Sequence, residues 1–201
     1  MHGPEKQKDP LNCTDSVDPT GATPTTGTAA KIRALELDSR SALLWAQEGK
    51  VEAWVHKFLL SGLGGETNPA FSEGLKREKR WWNGPILLAL DDLTPAVGPQ
   101  PGMEYVVDQD IWLTATSQLA ETFRDAESLP PLIAEYRAGA LSLRDGNTRC
   151  GAMRLLGWTA CWVIIWYNTE SDYRRHSEIL HRPETTWRAS SRPGPAKTAV
   201  T

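Results

Sequence analysis

Cysteine and histidine are scarce in this chain of 201 residues, three of the one and four of the other. Cys13, Cys150 and Cys161 stand too far apart and too irregularly for a disulfide framework or a set of metal ligands. Two lie in apolar segments and Cys13 in a polar one, which suits a reducing compartment. No histidine is placed as a general base. His2 lies near the start, His56 beside an apolar helical stripe, His176 with Arg174 and Arg175 on a helix surface, and His181 where a cation complements a helix end. An excess of charge of one sign is also missing. The 22 Lys and Arg against 25 Asp and Glu leave a net charge of −3, which excludes a protein that coats nucleic acid by neutralising many phosphates. No apolar run approaches membrane-spanning length and no apolar leader opens the chain, so the expectation is a cytoplasmic protein with neither membrane nor DNA as partner. Gly-x-Ser-x-Gly, His-Glu-x-x-His, Walker and dinucleotide motifs are absent in context. The glycines of Ser61-Gly62-Leu63-Gly64-Gly65 follow no strand and precede no Gly-Lys-Ser/Thr, and they read as a turn.

What is there is tryptophan, nine residues of it, and a hydrophobic share of 40%, enough for one real core. Residues 1–30 and 182–201 are polar and aperiodic and are expected to be disordered tails around a domain spanning 31–181. Val51, Trp54, Val55, Phe58 and Leu59 recur at helical spacing, after an earlier helix and a break near Gly49. Residues 84–90 read as a buried strand, and 108–126 as a helix capped by Asp108 with Ile111, Leu119 and Phe123 toward the core. After Leu129-Pro130-Pro131, residues 132–137 and 141–144 form a hairpin about Ala138-Gly139; 161–167 is an aromatic and β-branched strand, and 170–181 a terminal helix. The sum is a mixed α/β domain.

The hairpin runs into Asp145-Gly146-Asn147-Thr148-Arg149-Cys150-Gly151-Ala152, a strand ending in an Asp-Gly turn and a short helix opening at Asn147 and closed by Gly157. Outward backbone N–H groups at such a helix start, with Arg149 one turn in, outline an anion site; equally, Asp145 and Asn147 can simply satisfy those donors as caps. Gly146, Arg149, Ala152 and Gly157 are in step with the phosphate-binding box of the ParB partition protein and sulfiredoxin superfamily, which this run resembles. The resemblance spans about residues 85–167 and is specific in its final third. It implies a single mixed-sheet ParB/sulfiredoxin-like domain with N-terminal helices. Many relatives carry Asp-Gly-Asn-His-Arg where this chain has Thr148 in place of His; sulfiredoxins place their reactive Cys where Asn147 stands, and ParB its Glu-Arg-Arg where Asn147, Thr148 and Arg149 stand. Cys150 reads as a small buried residue.

A narrower likeness, to small fungal proteins with this Asp-Gly-Asn box, includes the arginine-containing cyclodipeptide synthases. It implies condensation of arginine with a second amino acid, both delivered as aminoacyl-tRNAs, in secondary metabolism and without a cofactor. That chemistry needs an acid for a guanidinium, a cationic and aromatic surface for tRNA, and donors for an oxyanion. Asp91 and Asp92, with Gly146, are the substrate-binding candidates. Lys76, Arg77, Lys79 and Arg80 with Trp81 and Trp82 are the tRNA-binding ones, and Asn147 and Arg149 with Asp145 as base the catalytic ones. Each has a plainer role open to it: a helix cap or turn for the acids, a solvated helix face ending in core tryptophans for the basic run. Rival readings are a ParB-like CTP- or ATP-binding protein or phosphotransferase, and a non-catalytic adaptor.

Overall fold

The strand that sequence pattern starts at residue 84 begins earlier. In the computed structural model, which describes residues 37–63 and 65–181, β1 runs Trp81–Ala89, so both tryptophans of the basic run belong to it. Ahead of it come α1 (Ser39–Gln47), capped by Asp38, α2 (Val51–Ser61), ended at Gly62 with φ +74°, and α3 (Pro69–Lys76), capped by Asn68. After it a 3₁₀ turn (Leu90–Asp92) leads to β2 (Leu93–Pro95), and two short strands, β3 (Val97–Gly98) and β4 (Tyr105–Val106), pair in parallel. None of β2, β3 and β4 was legible, because two or three residues carry no period. Helix α4 (Gln109–Ala120) is capped by Asp108 as its sequence predicts but stops short of 126; β5 (Leu132–Arg137), β6 (Ala140–Asp145), α5 (Asn147–Leu155), β7 (Ala160–Tyr167) and α6 (Glu170–Leu180) follow. The expected tails, His2, Cys13 and Gly64 lie outside the described residues.

The sheet is mixed and its order is β1-β7-β5-β6-β2. β1 pairs antiparallel with β7, β7 parallel with β5, β5 antiparallel with β6, and β6 parallel with β2. The outermost strands, β1 and β2, are joined through only Leu90–Asp92. Five flat strands would hold their edges roughly 19 Å apart at normal spacing, whereas three 3₁₀ residues rise about 6 Å. The sheet is therefore curled until its edges approach. A bulge between Asn83 and Ile86 helps to bend β1, and Gly84, at φ +103°, has no room for a side chain: a Cβ would lie 2.5 Å from the Val163 carbonyl oxygen.

Alternation along the strands feeds two cores. Leu132, Ala134, Leu143, Cys161, Val163, Ile165 and Tyr167 fill one, with Cys150 and Met153 of α5; Ile133, Ile164 and Trp166 face the other, against Trp54, Val55, Phe58 and Leu59 of α2. The stripe tryptophan is thus core, with Trp54 stacked on Phe58 at 5.3 Å. Of the residues expected to anchor the 108–126 helix, Phe123 packs on the first core, but Ile111 is 64% exposed. That helix turns Thr116 inward instead, and Trp112 closes over Gly151.

Candidate functional site

The Asp145–Arg149 corner is closed by its own groups. Gly146, at φ +89°, turns β6 into α5, and the first helical turn brings Arg149 back against the strand end. Its guanidinium donates to the Asp145 carboxylate at 2.6 Å and to the carbonyls of Pro130 and Pro131 at 2.5 and 3.2 Å, and it lies over the Phe58 ring at 5.1 Å. The residue is 7% exposed. Burial pushes its pKa down while Asp145 opposes the shift, and arginine keeps its proton in any case. Asn147 is buried as well, and its Oδ1 accepts from the backbone N–H groups of Ala96 and Val97 at 3.0 and 3.2 Å. The anion pocket outlined from sequence is therefore not what these side chains form: guanidinium and amide hold together β6, α5, the Pro130-Pro131 turn and the start of β3.

The basic run is divided by the strand it enters. Lys76 pairs with Glu73 at 2.8 Å, Arg77 caps α3, and Arg80 binds Glu78 at 3.3 Å and the Asn168 side chain. Lys79 sits over the Trp81 ring at 4.9 Å. Because neighbours on a strand point to opposite faces, Trp81 packs on the first core and Trp82 on the second, 6.4 Å from Trp166. The paired stacking platform suggested by adjacent indoles is thus split, while Lys76, Arg77 and Lys79 stay exposed. Asp91 and Asp92 are exposed members of the 3₁₀ turn.

Asp92 has a second surrounding. It lines a chamber of about 610 Å³ with Ile86 and Leu88 of β1, Tyr136 of β5, Leu141 of β6, Trp162 of β7, and His176 and Ile179 of α6. Asp145, Gly146, Asn147 and Arg149 are not among its walls. The volume lies within the range of small-molecule sites, and the composition, apolar with a few polar groups, is theirs as well. His176 is not the helix-surface residue its neighbours suggest. Arg174 and Arg175 point outward to Glu170 and Asp172 at 2.6 Å each, while His176 is 9% exposed, stacked on Tyr136 at 4.2 Å and hydrogen-bonded through Nδ1 to the Tyr167 hydroxyl at 2.8 Å. Burial lowers its pKa, so the ring is neutral near pH 7. The sequence did carry a signal for this: Tyr173, His176 and Leu180 fall on one helical face, and the two arginines just before His176 hid it.

His56, Cys150 and Cys161 lie outside the chamber walls. His56 meets the Ser72 hydroxyl at 2.9 Å through Nδ1, its Nε2 is buried without a hydrogen-bond partner at 3.9 Å from the Glu52 carboxylate, and its pKa is lowered by burial first and Lys76 second. Cys150 and Cys161 are fully buried, and burial pushes the Cys161 thiol up to about 12. Among the described residues no group of three or more His, Cys, Asp or Glu is placed to hold a metal ion, and no helix is long and apolar enough to cross a membrane.

No protein-family model matches the chain, and no curated protein matches it. Among solved structures it is similar to sulfiredoxin from Arabidopsis thaliana, at 18% identity and a TM-score of 0.33, over 46% of this chain and 94% of that one. A likeness this distant leaves the fold to be read from the strands themselves.

Proposed function

We propose that this protein joins arginine to a second amino acid as a cyclic dipeptide, taking both from aminoacyl-tRNA as an arginine-containing cyclodipeptide synthase does. In this reading the chemistry takes place in the chamber rather than at the Asp145–Arg149 corner. The observation that carries it is Asp92, the one carboxylate among the residues lining an otherwise largely apolar chamber. A carboxylate there matches a guanidinium, whose planar fork it accepts in two hydrogen bonds. Asp91, beside it in the turn, adds a second negative charge next to it in the chain. Lys79 and Arg80 immediately precede Trp81 at the start of β1, Lys76 and Arg77 end α3 just before them, and the chamber wall begins at Pro85, about 13 Å beyond Trp81 along the strand. A tRNA end held on the cations reaches the chamber along that strand. Two ester bonds to tRNA break and two amide bonds form, so the activated esters supply the driving force and no nucleotide is required. Asp145, Gly146, Asn147 and Arg149 act as positioning residues that hold the β6–α5 corner.

The test is incubation of the full chain with precharged arginyl-tRNA and a second charged tRNA, without ATP, followed by mass spectrometry. Formation of an arginine-containing cyclic dipeptide, abolished by prior ribonuclease treatment, is the expected result. Nucleoside triphosphate turnover that ignores ribonuclease supports a ParB-like nucleotide enzyme instead, and absence of both activities supports an adaptor.

A further inference from the structure

The chamber contains a polar device that the preceding reading does not use. Tyr167 is fully buried, and its hydroxyl meets His176 Nδ1 at 2.8 Å. Burial pushes the phenol pKa up, with the Asn83 side chain opposing part of the rise, so the hydroxyl keeps its proton. Asn83 also holds α6 directly, donating from Nδ2 to the Ser177 hydroxyl at 3.1 Å. Nδ1 is the hydrogen-bond partner within reach of this buried phenol, so the proton that the hydroxyl must place is donated to Nδ1. A neutral imidazole that accepts at Nδ1 carries its hydrogen on Nε2. The ring is held flat against Tyr136, 20° from parallel, so it cannot turn without losing both that contact and the phenol. His176 is 91% removed from solvent by its 9% exposure, yet it is one of the chamber's walls.

We propose that His176, locked by Tyr167 as the Nε2–H tautomer, donates a hydrogen bond into the chamber to a carbonyl oxygen of a small ligand whose cationic end faces Asp92. The class of ligand is a compact, partly apolar molecule with a carbonyl at one end and a guanidinium or ammonium at the other. This rests on the reading of the chamber as the substrate site, and it assigns that site a carbonyl-binding residue. A neutral imidazole N–H polarises a carbonyl without introducing a charge into an apolar space, and it does so from a fixed position because phenol, ring stack and helix hold it. The same N–H then stabilises the negative charge that grows on the ester carbonyl oxygen when an amine attacks the carbonyl carbon; the C–N bond forms, the ester C–O bond breaks, and the tRNA ribose oxygen leaves as a hydroxyl with the proton the amine gives up. His176 binds and polarises; it does not accept the proton of the amine.

The experiment is two-stage and uses the full chain labelled with ¹⁵N-histidine. Long-range proton–nitrogen correlation of the unliganded protein is expected to show His176 as the Nε2–H tautomer and Y167F as a mixture; a Nδ1–H tautomer in the wild type overturns the proposal. Titration then uses two probes, the cyclic dipeptide of arginine and glycine and that of leucine and glycine. Both offer the carbonyl, and only the first offers the guanidinium. A saturable shift at His176 Nε2 is expected with the arginine probe, about tenfold weaker binding in H176F, and binding within about threefold of wild type in H176Q, whose amide still donates. Equal shifts with both probes keep His176 as carbonyl donor and remove arginine from the reading above. Arginine-probe binding that leaves His176 Nε2 unmoved removes His176 and keeps arginine. No shift at His176 with either probe overturns the proposal, and this wild-type measurement stands even where H176F fails to fold.

Discussion

The Asp145–Arg149 corner and the chamber under α6 are built from similar materials to opposite ends. At the corner a carboxylate, a guanidinium and an amide meet, and each is answered from inside the protein: Asp145 and two proline carbonyls take Arg149, and two backbone N–H groups take Asn147. At the chamber a carboxylate and an imidazole face about 610 Å³ of space instead of one another's partners. A charged motif marks a site only where its hydrogen-bonding capacity is left over after folding. A buried pair that is fully satisfied is a brace.

The largest expected effect is at the brace. R149A leaves Asp145 and two carbonyls without their donor, and urea unfolding should report a loss of about 3 kcal/mol, with R149K recovering only part because an ammonium lacks the planar fork. A loss below about 0.5 kcal/mol would mean that the corner holds nothing, and the contrast with the chamber would vanish. G146A is next. A Cβ there meets Leu132 Cδ2 at 2.5 Å and Arg149 Nη2 at 2.9 Å on a backbone at φ +89°, so a cost of about 2 kcal/mol is expected by the same measurement.

D92N tests the other side of the comparison. Replacing an exposed turn carboxylate should leave unfolding within about 0.5 kcal/mol of wild type while lowering arginine-dependent product formation or probe binding by about tenfold or more. Equal damage to stability and binding would make Asp92 another structural residue. The smallest effect is on acid stability. His56 and His176 both have folded-state pKa values below the ordinary histidine value of about 6.5, from burial first and, for His56, Lys76 second. The unfolded chain therefore binds more protons as the pH falls through 6.5, and stability, complete above that value, declines below it. The doubly substituted H56Q/H176Q protein should show a shallower decline between pH 7 and 5 in thermal melts.

Much of the fold was legible. Period and caps located α2, β5, β6, β7 and α6 to within a few residues and fixed the start of α4, since Asp108 and the apolar spacing of 51–59 act locally. The turn at Gly146 and the helix opening at Asn147 were equally local and equally visible. The candidate site was much less so. Trp81 and Trp82 look like one platform in a helix-ending run and become two separate core contacts once β1 starts at Trp81. His176 directly follows two arginines in the chain, and only the packing of α6 on β1 and β7 shows that it points the other way.

By itself the chain determined most of the longer elements, because capping, turn geometry and hydrophobic period depend on residues within a turn or two of one another. It determined as well that acid and base are balanced, which limits any nucleic-acid contact to a patch. The tertiary structure alone decided which polar groups are used up and which remain. That depends on partners far away in sequence: Arg149 on Pro130, Pro131 and Phe58, Asn147 on Ala96 and Val97, and Asp92 and His176 brought to one chamber by the curl of the sheet. Hydrogen-bonding capacity is satisfied in space, and no local pattern records where the partner comes from.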